Sequence, residues 1–316
     1  VLHCIISSAS ILSNLMLLYC IFDRTPTSFR SYSLLLKFQA LSDLFIAASA
    51  LSTMQRIVPC DWTLVYVSYG PCIFISSGLC YYLYTILLAL NIVSFSTVLV
   101  AMGARYWILR FGSISKRRIM VTLCLGALTP AFLFIILFVI SRGSDIDVRK
   151  VLVSFRPDTV NERVVTGNLD TRSPTMLISA GMICCGPVPL FIVIWIYRSM
   201  VLRGLRLTTR AMSIQTRALH KQFVSALTLQ AVLPIFPVLG VTVSLIGILG
   251  LARDPVLEIA PILLSEFPAF FSPLIVIMHI RYYSESLRSL FYRERINATF
   301  TVSTKPPLTP RSFVPF

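Results

Sequence analysis

The sequence predicts an all-α membrane protein, a bundle of seven transmembrane helices with its amino terminus extracellular and its carboxyl terminus cytoplasmic. Three observations carry that reading. Apolar residues make up 56% of the 316 residues and charged residues only 13%, against roughly 25% charged in a soluble domain. The apolar residues are gathered into seven stretches, each near the roughly 20 residues that a helix needs to cross the hydrocarbon core. Most Lys and Arg fall on one side of those stretches, and the basic side is the cytoplasmic one.

The spans are read at 1–22, 32–54, 73–104, 119–141, 175–197, 222–249 and 257–280. The first carries Asn14. The second carries Asp43, roughly 16 Å deep at 1.5 Å per residue, where a carboxylate costs several kcal/mol unless paired or hydrated. Asn14 and Ser272 of the seventh span both stand roughly 12 Å above their inner ends, so the three are expected to share one polar layer. That layer is either a switchable core or a static interhelical clamp, and both readings need an inward-facing Asp43. In the third span Tyr84, Asn91, Val98 and Arg105 recur every seven residues, a stripe that drifts only about 20° per step. It either joins an outer pocket to the charged group at the inner boundary or is plain packing. Arg105-Tyr106-Trp107 ends the span, either as a functional group or as a snorkelling Arg beside belt aromatics.

The fourth and seventh spans are the cleanest. Pro130 interrupts the fourth, Pro187 and Pro189 the fifth, Pro234 and Pro237 the sixth, and Pro268 and Pro273 the seventh. Each removes a helix hydrogen bond, and Pro234, Pro237 and Pro273 are the expected hinges. Asp254-Pro255 supplies the seventh span with a cap and a first-turn proline. Glu266 lies in its outer half, where it can touch a ligand, pair with a polar group on another span, or stay neutral through protonation.

A net charge of +15 would suit nucleic acid, but its distribution does not. Twenty of the 28 basic residues belong to inner segments (Arg24 to Lys37, Arg105 to Arg118, Arg198 to Lys221, Arg281 to Arg311), which sit well against anionic membrane lipid. Of eight cysteines, Cys20, Cys80, Cys124, Cys184 and Cys185 fall within predicted spans, where a thiol acts as a small hydrophobe. Cys4, Cys60 and Cys72 lie near the outer face and allow one bridge. The chain starts at Val1, which reads as a trimmed sequence, and its first stretch lacks the basic leader of a signal peptide. Residues 1–290 form the bundle, and 291–316 a short cytoplasmic tail expected to be disordered.

Three scattered histidines, His3, His220 and His279, offer no metal-ligand spacing, and no nucleotide fingerprint or nucleophile elbow occurs. The reading therefore holds no metal, no cofactor, no catalytic residue and no enzyme. A channel or transporter is the alternative from another class, although no inverted repeat of interrupted helices is visible.

The order of several short blocks is more specific than any one of them. These are Ser13-Asn14-Leu15-Met16, Gln55-Arg56-Ile57-Val58-Pro59, Gly70-Pro71-Cys72, Arg105-Tyr106-Trp107, Leu219-His220-Lys221-Gln222-Phe223 and Phe267-Pro268-Ala269-Phe270-Phe271-Ser272-Pro273. On them the chain resembles the nematode serpentine chemoreceptors of the Str superfamily, class d (Srd) most closely. The resemblance implies a G-protein-coupled receptor at the plasma membrane of sensory neurons, in their cilia, that detects a small external chemical. It implies ligand contact near Tyr84, Asn91 and Glu266, and coupling to a heterotrimeric G protein through Arg105, Tyr106 and the basic third inner loop with Arg217 and Lys221. Ala104 stands where rhodopsin-type receptors place an acid, so no latch between neighbouring residues forms. Residues 142–173 contain no Cys, so the usual bridge from the third span fails. Cys72 is then expected to pair with Cys60, or with Cys4.

Overall fold

The computed structural model describes residues 2–24, 30–112, 114–159, 162–207, 214–251 and 254–292. All but Phe291 and Tyr292 of the expected tail lies outside them. Among the described residues, seven helices are long and apolar enough to cross a membrane: Leu2–Phe22, Ser33–Thr53, Ser77–Phe111, Lys116–Ile140, Pro174–Leu205, Lys221–Ile248 and Pro255–His279. They follow the seven expected stretches in order. Outer and inner are used here in the sense set by the basic loops.

The third span is the axis of the bundle. Within its most apolar window 72% of residues are buried, against 17% in the fifth, which therefore lies at the periphery. Its helix, Ser77–Phe111, has 35 residues and a length of roughly 52 Å at 1.5 Å per residue, well beyond a hydrocarbon core of about 30 Å. The Ser76 hydroxyl caps it by accepting from the Leu79 N–H at 3.1 Å. Gly112 stops it at φ +81°, a left-handed position that costs glycine nothing.

Several spans are interrupted where the sequence places proline. In the fourth, residues Cys124–Leu128 form a π turn directly before Pro130, and the Thr129 hydroxyl donates to the Cys124 carbonyl at 2.9 Å. The fifth divides into Pro174–Cys184 and Pro187–Leu207. The sixth divides into Ile214–Gln230 and Ile235–Ile248 around a turn ending at Pro234. The seventh runs unbroken through Pro261, Pro268 and Pro273, and the Asp254 carboxylate caps it by accepting from the Val256 N–H at 2.8 Å.

The outer side carries a structure that the sequence reading left as loops. Strands β1 (Gln55–Cys60), β2 (Thr63–Ser68) and β3 (Val164–Asn168) form an antiparallel sheet in the order β1-β2-β3, with Cys60 opposite Thr63 and Leu64 opposite Asn168. Alternation divides its side chains between two cores. Ile57, Leu64 and Tyr66 pack down into the bundle with Tyr84, Phe134 and Phe138. Val58, Cys60, Val65 and Val67 pack up against Val148 and Leu152 of a surface helix, Asp145–Phe155. Every residue of β2 is buried. The lid is tied to the seventh span at Glu258, only 4% exposed, which accepts from Arg56 and, at 2.6 Å, from Arg156. Burial pulls the Arg56 guanidinium down, and the hydrogen bond and charge of Glu258 outweigh it, leaving the group above its ordinary value.

The expected Cys60–Cys72 bridge is corrected by the fold. Cys72 bonds Cys80, with Cα atoms 5.3 Å apart. The turn at Pro71–Phe74 and the extended Ser76 fold the chain back over the first turns of the third span, which brings Cys80 to Cys72. Cys60 is buried beneath the surface helix, and Cys4 also stays outside the bridge. Non-reducing peptide mapping is expected to recover Cys72 joined to Cys80. Recovery of Cys72 joined to Cys60 would contradict this packing.

Candidate functional site

Three polar or aromatic tiers lie along the inward stripe of the third span. Tyr84, Asn91, Val98 and Arg105 are all buried, at 6%, 4%, 4% and 0% exposure, so the seven-residue spacing does mark one inward face.

The outer tier is a cavity of about 150 Å³ beneath the sheet. Its walls include Tyr66 of β2, Tyr84 and Leu88 of the third span, Phe138 of the fourth, Met176 of the fifth and Ser265 of the seventh. Tyr66 and Tyr84 set their ring centres 4.9 Å apart, and Phe138 lies 6.1 Å from Tyr84. Burial, with Tyr84 and Tyr81 adding, pushes the Tyr66 phenol well above its ordinary value, so it stays neutral. Behind these rings the Tyr81 hydroxyl donates to the Phe138 carbonyl at 2.7 Å and accepts from Asn168 at 3.1 Å. The sixth and seventh spans close the wall at Gly240, where an added Cβ would lie 2.9 Å from the Pro261 carbonyl oxygen.

The three residues expected at a ligand are not brought together. Tyr84 lines this cavity, whereas Asn91 lines a neighbouring one that shares Leu88 and Ile183 with it. Glu266 lines neither. It is 1% exposed and turned toward the first span, where its carboxylate meets His3 Nδ1 at 2.7 Å and accepts from the Ser7 hydroxyl at 2.8 Å. Of the readings open for Glu266, pairing with another span is the one the geometry supports.

The middle tier is the polar layer. Asp43 is completely buried. Its carboxylate accepts from the Ser94 hydroxyl at 3.0 Å and from Gln39 Nε2 at 3.3 Å, and Ser272 lies beside it. Gln39 also donates to Ser94. Gln230 Nε2 of the sixth span donates to Ser272 Oγ at 2.9 Å. Asn14 sits close by, donating through Nδ2 to the Ala269 and Ser10 carbonyls, each at 2.9 Å. Ala269 stands four residues before Pro273, which has no N–H to return to it; the first span supplies the missing donor. Asp43 and Ser272 thus meet as expected, while Asn14 serves the backbone opened by Pro273. Gln39, Ser94 and Gln230 were missed. Gln39 is one helical turn before Asp43 on the same face, a spacing that would have found it.

The inner tier is Arg105, completely buried, with its guanidinium carbon 4.2 Å from the ring centre of Phe223 on the sixth span. Tyr106 packs beside Tyr197 of the fifth at 5.9 Å. Lys221 is exposed. The side chain of Arg217 lies outside the described residues.

Comparison with known proteins agrees with the seven-span fold. The family described as serpentine type 7TM GPCR chemoreceptor Srd matches residues 1–289. Among individual proteins of Caenorhabditis elegans, the chain is similar to serpentine receptor class delta-3, at 29% identity over 91% of this chain and 86% of that one. It is also similar to class delta-1, at 27% identity over 97% and 86%, and to class delta-18, at 28% over 87% and 83%.

The proline-opened carbonyl gives a sharp test. Asn14→Leu should cost about 1–3 kcal/mol by stranding the Ala269 oxygen, read as thermal unfolding in detergent. In a Pro273→Ala background, where the restored N–H can reach that oxygen, the same change should cost less. Equal costs in both backgrounds would rule the explanation out.

Proposed function

We propose, for a chain that belongs to the serpentine 7TM chemoreceptor family Srd, that it is a multi-pass receptor coupling a small external chemical to a heterotrimeric G protein. The observation that carries the reading is the continuity of the third-span stripe. One face of one helix borders the cavity under the sheet at Tyr84, runs past the Asp43 layer, and ends at Arg105 against the sixth span. The basic inner loops support an extracellular amino terminus, and the family supports a sensory role at the plasma membrane of sensory neurons, in their cilia.

In this mechanism the ligand occupies the aromatic cavity beside Tyr66 and Tyr84 and favours one of two helix arrangements. Only a difference in affinity between them shifts the population. The break at Pro234 lets the inner half of the sixth span swing while Gln230 changes its hold on Ser272. Pro237 and Pro273 accommodate the bend. Phe223 then leaves Arg105, uncovering a guanidinium that, with Tyr106, Arg217 and Lys221, meets the G protein. A desolvated cation–π contact is worth about 2 kcal/mol, enough to bias the resting arrangement by more than tenfold.

Expression in a heterologous cell with a calcium or cAMP readout, against volatile and water-soluble compounds, tests the reading. Arg105→Ala should abolish signalling with surface expression retained, and Phe223→Ala should raise basal signalling several-fold. Wild-type signalling from surface-expressed Arg105→Ala would refute the assignment.

A further inference from the structure

The second cavity, of about 210 Å³, is built differently from the one under the sheet. It lies between the third, fourth, fifth and sixth spans, at the π turn of the fourth and the break of the fifth, with Gly126, Pro130, Gly186 and Pro187 in its walls. The fourth and fifth spans pack together through their outer halves, Thr129–Ile140 against Pro174–Cys184. Leu125, Leu128 and Val188, close in sequence to the lining residues Gly126, Pro130 and Pro187, are exposed. In an apolar span such residues face lipid, so the crevice opens sideways into the bilayer.

One group in it lacks what lipid tails cannot supply. Asn91 is 4% exposed and lines the crevice. Its Nδ2 donates to the Leu87 carbonyl at 3.1 Å. Only the amide nitrogen can donate there, so the orientation of the amide is fixed, and Oδ1 is left as a buried acceptor with no partner among the described residues. A buried acceptor left unmade costs about 1–3 kcal/mol. Asn91 stands seven residues, roughly 10 Å, below Tyr84, far from the loops and their polar groups. Apart from Asn91 and Ser96, the lining is apolar, and among the described residues no charged side chain borders it. The volume is below the roughly 300 Å³ at which drug-sized pockets begin.

We propose that this crevice is a binding site for a small, neutral, membrane-partitioning molecule with an apolar body and one hydroxyl donor, entering from the bilayer and giving its O–H to Asn91 Oδ1. A carboxylate or ammonium finds no counter-charge here. A pure hydrocarbon fills the space but leaves the acceptor unmade.

The test uses the full chain in lipid nanodiscs, with a diazirine-bearing medium-chain primary alkanol and the matching alkane as probes. After irradiation, peptide mass spectrometry should place saturable alkanol labelling on 124–130 and 182–190, about fivefold stronger than alkane labelling, the worth of one buried hydrogen bond. Asn91→Leu should erase that preference, and Gly126→Phe should remove saturable labelling by filling the mouth. Labelling of the remaining lipid-facing segments, together with a monodisperse profile, reports that each variant is folded. Equal labelling by both probes in the unmodified chain, or an alkanol preference that survives Asn91→Leu, would overturn the proposal. No G protein or signalling readout enters the measurement, so its failure leaves the receptor reading untouched.

Discussion

The constraint on which the structure depends is that polar groups inside a bilayer must find their partners within the protein. Asp43 makes the case. A lone carboxylate at that depth would be costly, yet it is completely buried. Its donors come from two spans, Gln39 from its own and Ser94 from the third, while Ser272 of the seventh lies beside it and accepts from Gln230 of the sixth. Such a layer fixes the rotation of each helix about its own axis, because turning any of them would carry a donor away from a buried acceptor. Apolar packing alone gives no such register, since lipid tails are as apolar as leucine.

The same accounting explains the prolines. Each opens the backbone, and the fold either breaks the helix, as at Pro187 and Pro234, or supplies a donor from elsewhere, as Asn14 does for the carbonyl opposite Pro273. The breaks lie in the fifth and sixth spans. The unbroken third and seventh spans form the frame against which the others are held. The lid above is likewise tied to that frame, by two arginines on Glu258 and by the Cys72–Cys80 bridge.

The bundle was legible in the sequence because its signals are long: seven apolar runs, and a seven-residue stripe whose members prove uniformly buried. Asp43 and Ser272 were found by depth alone. Glu266 was located but not its partner, since depth along one helix says nothing of which neighbour it faces. His3 and Ser7 stand more than 250 residues away. The sheet was missed because strands of five or six residues inside loops are faint beside spans, although Thr63-Leu64-Val65-Tyr66-Val67-Ser68 carries the β-branched alternation of a strand. The bridge was misassigned for a related reason. A reading that confines Cys80 to a span interior leaves it out, whereas the third helix starts late enough to hold Cys80 in its first turns, next to Cys72.

The most direct measurement of the central claim is replacement of Asp43 by leucine in the full chain, followed through thermal unfolding in detergent and through signalling. Removal of the carboxylate takes the acceptor from Gln39 and Ser94 in the interior, so a clear fall in unfolding temperature is predicted, with signalling lost or altered. Wild-type unfolding together with wild-type signalling would show that the polar layer does not hold the bundle in register, and would contradict the account.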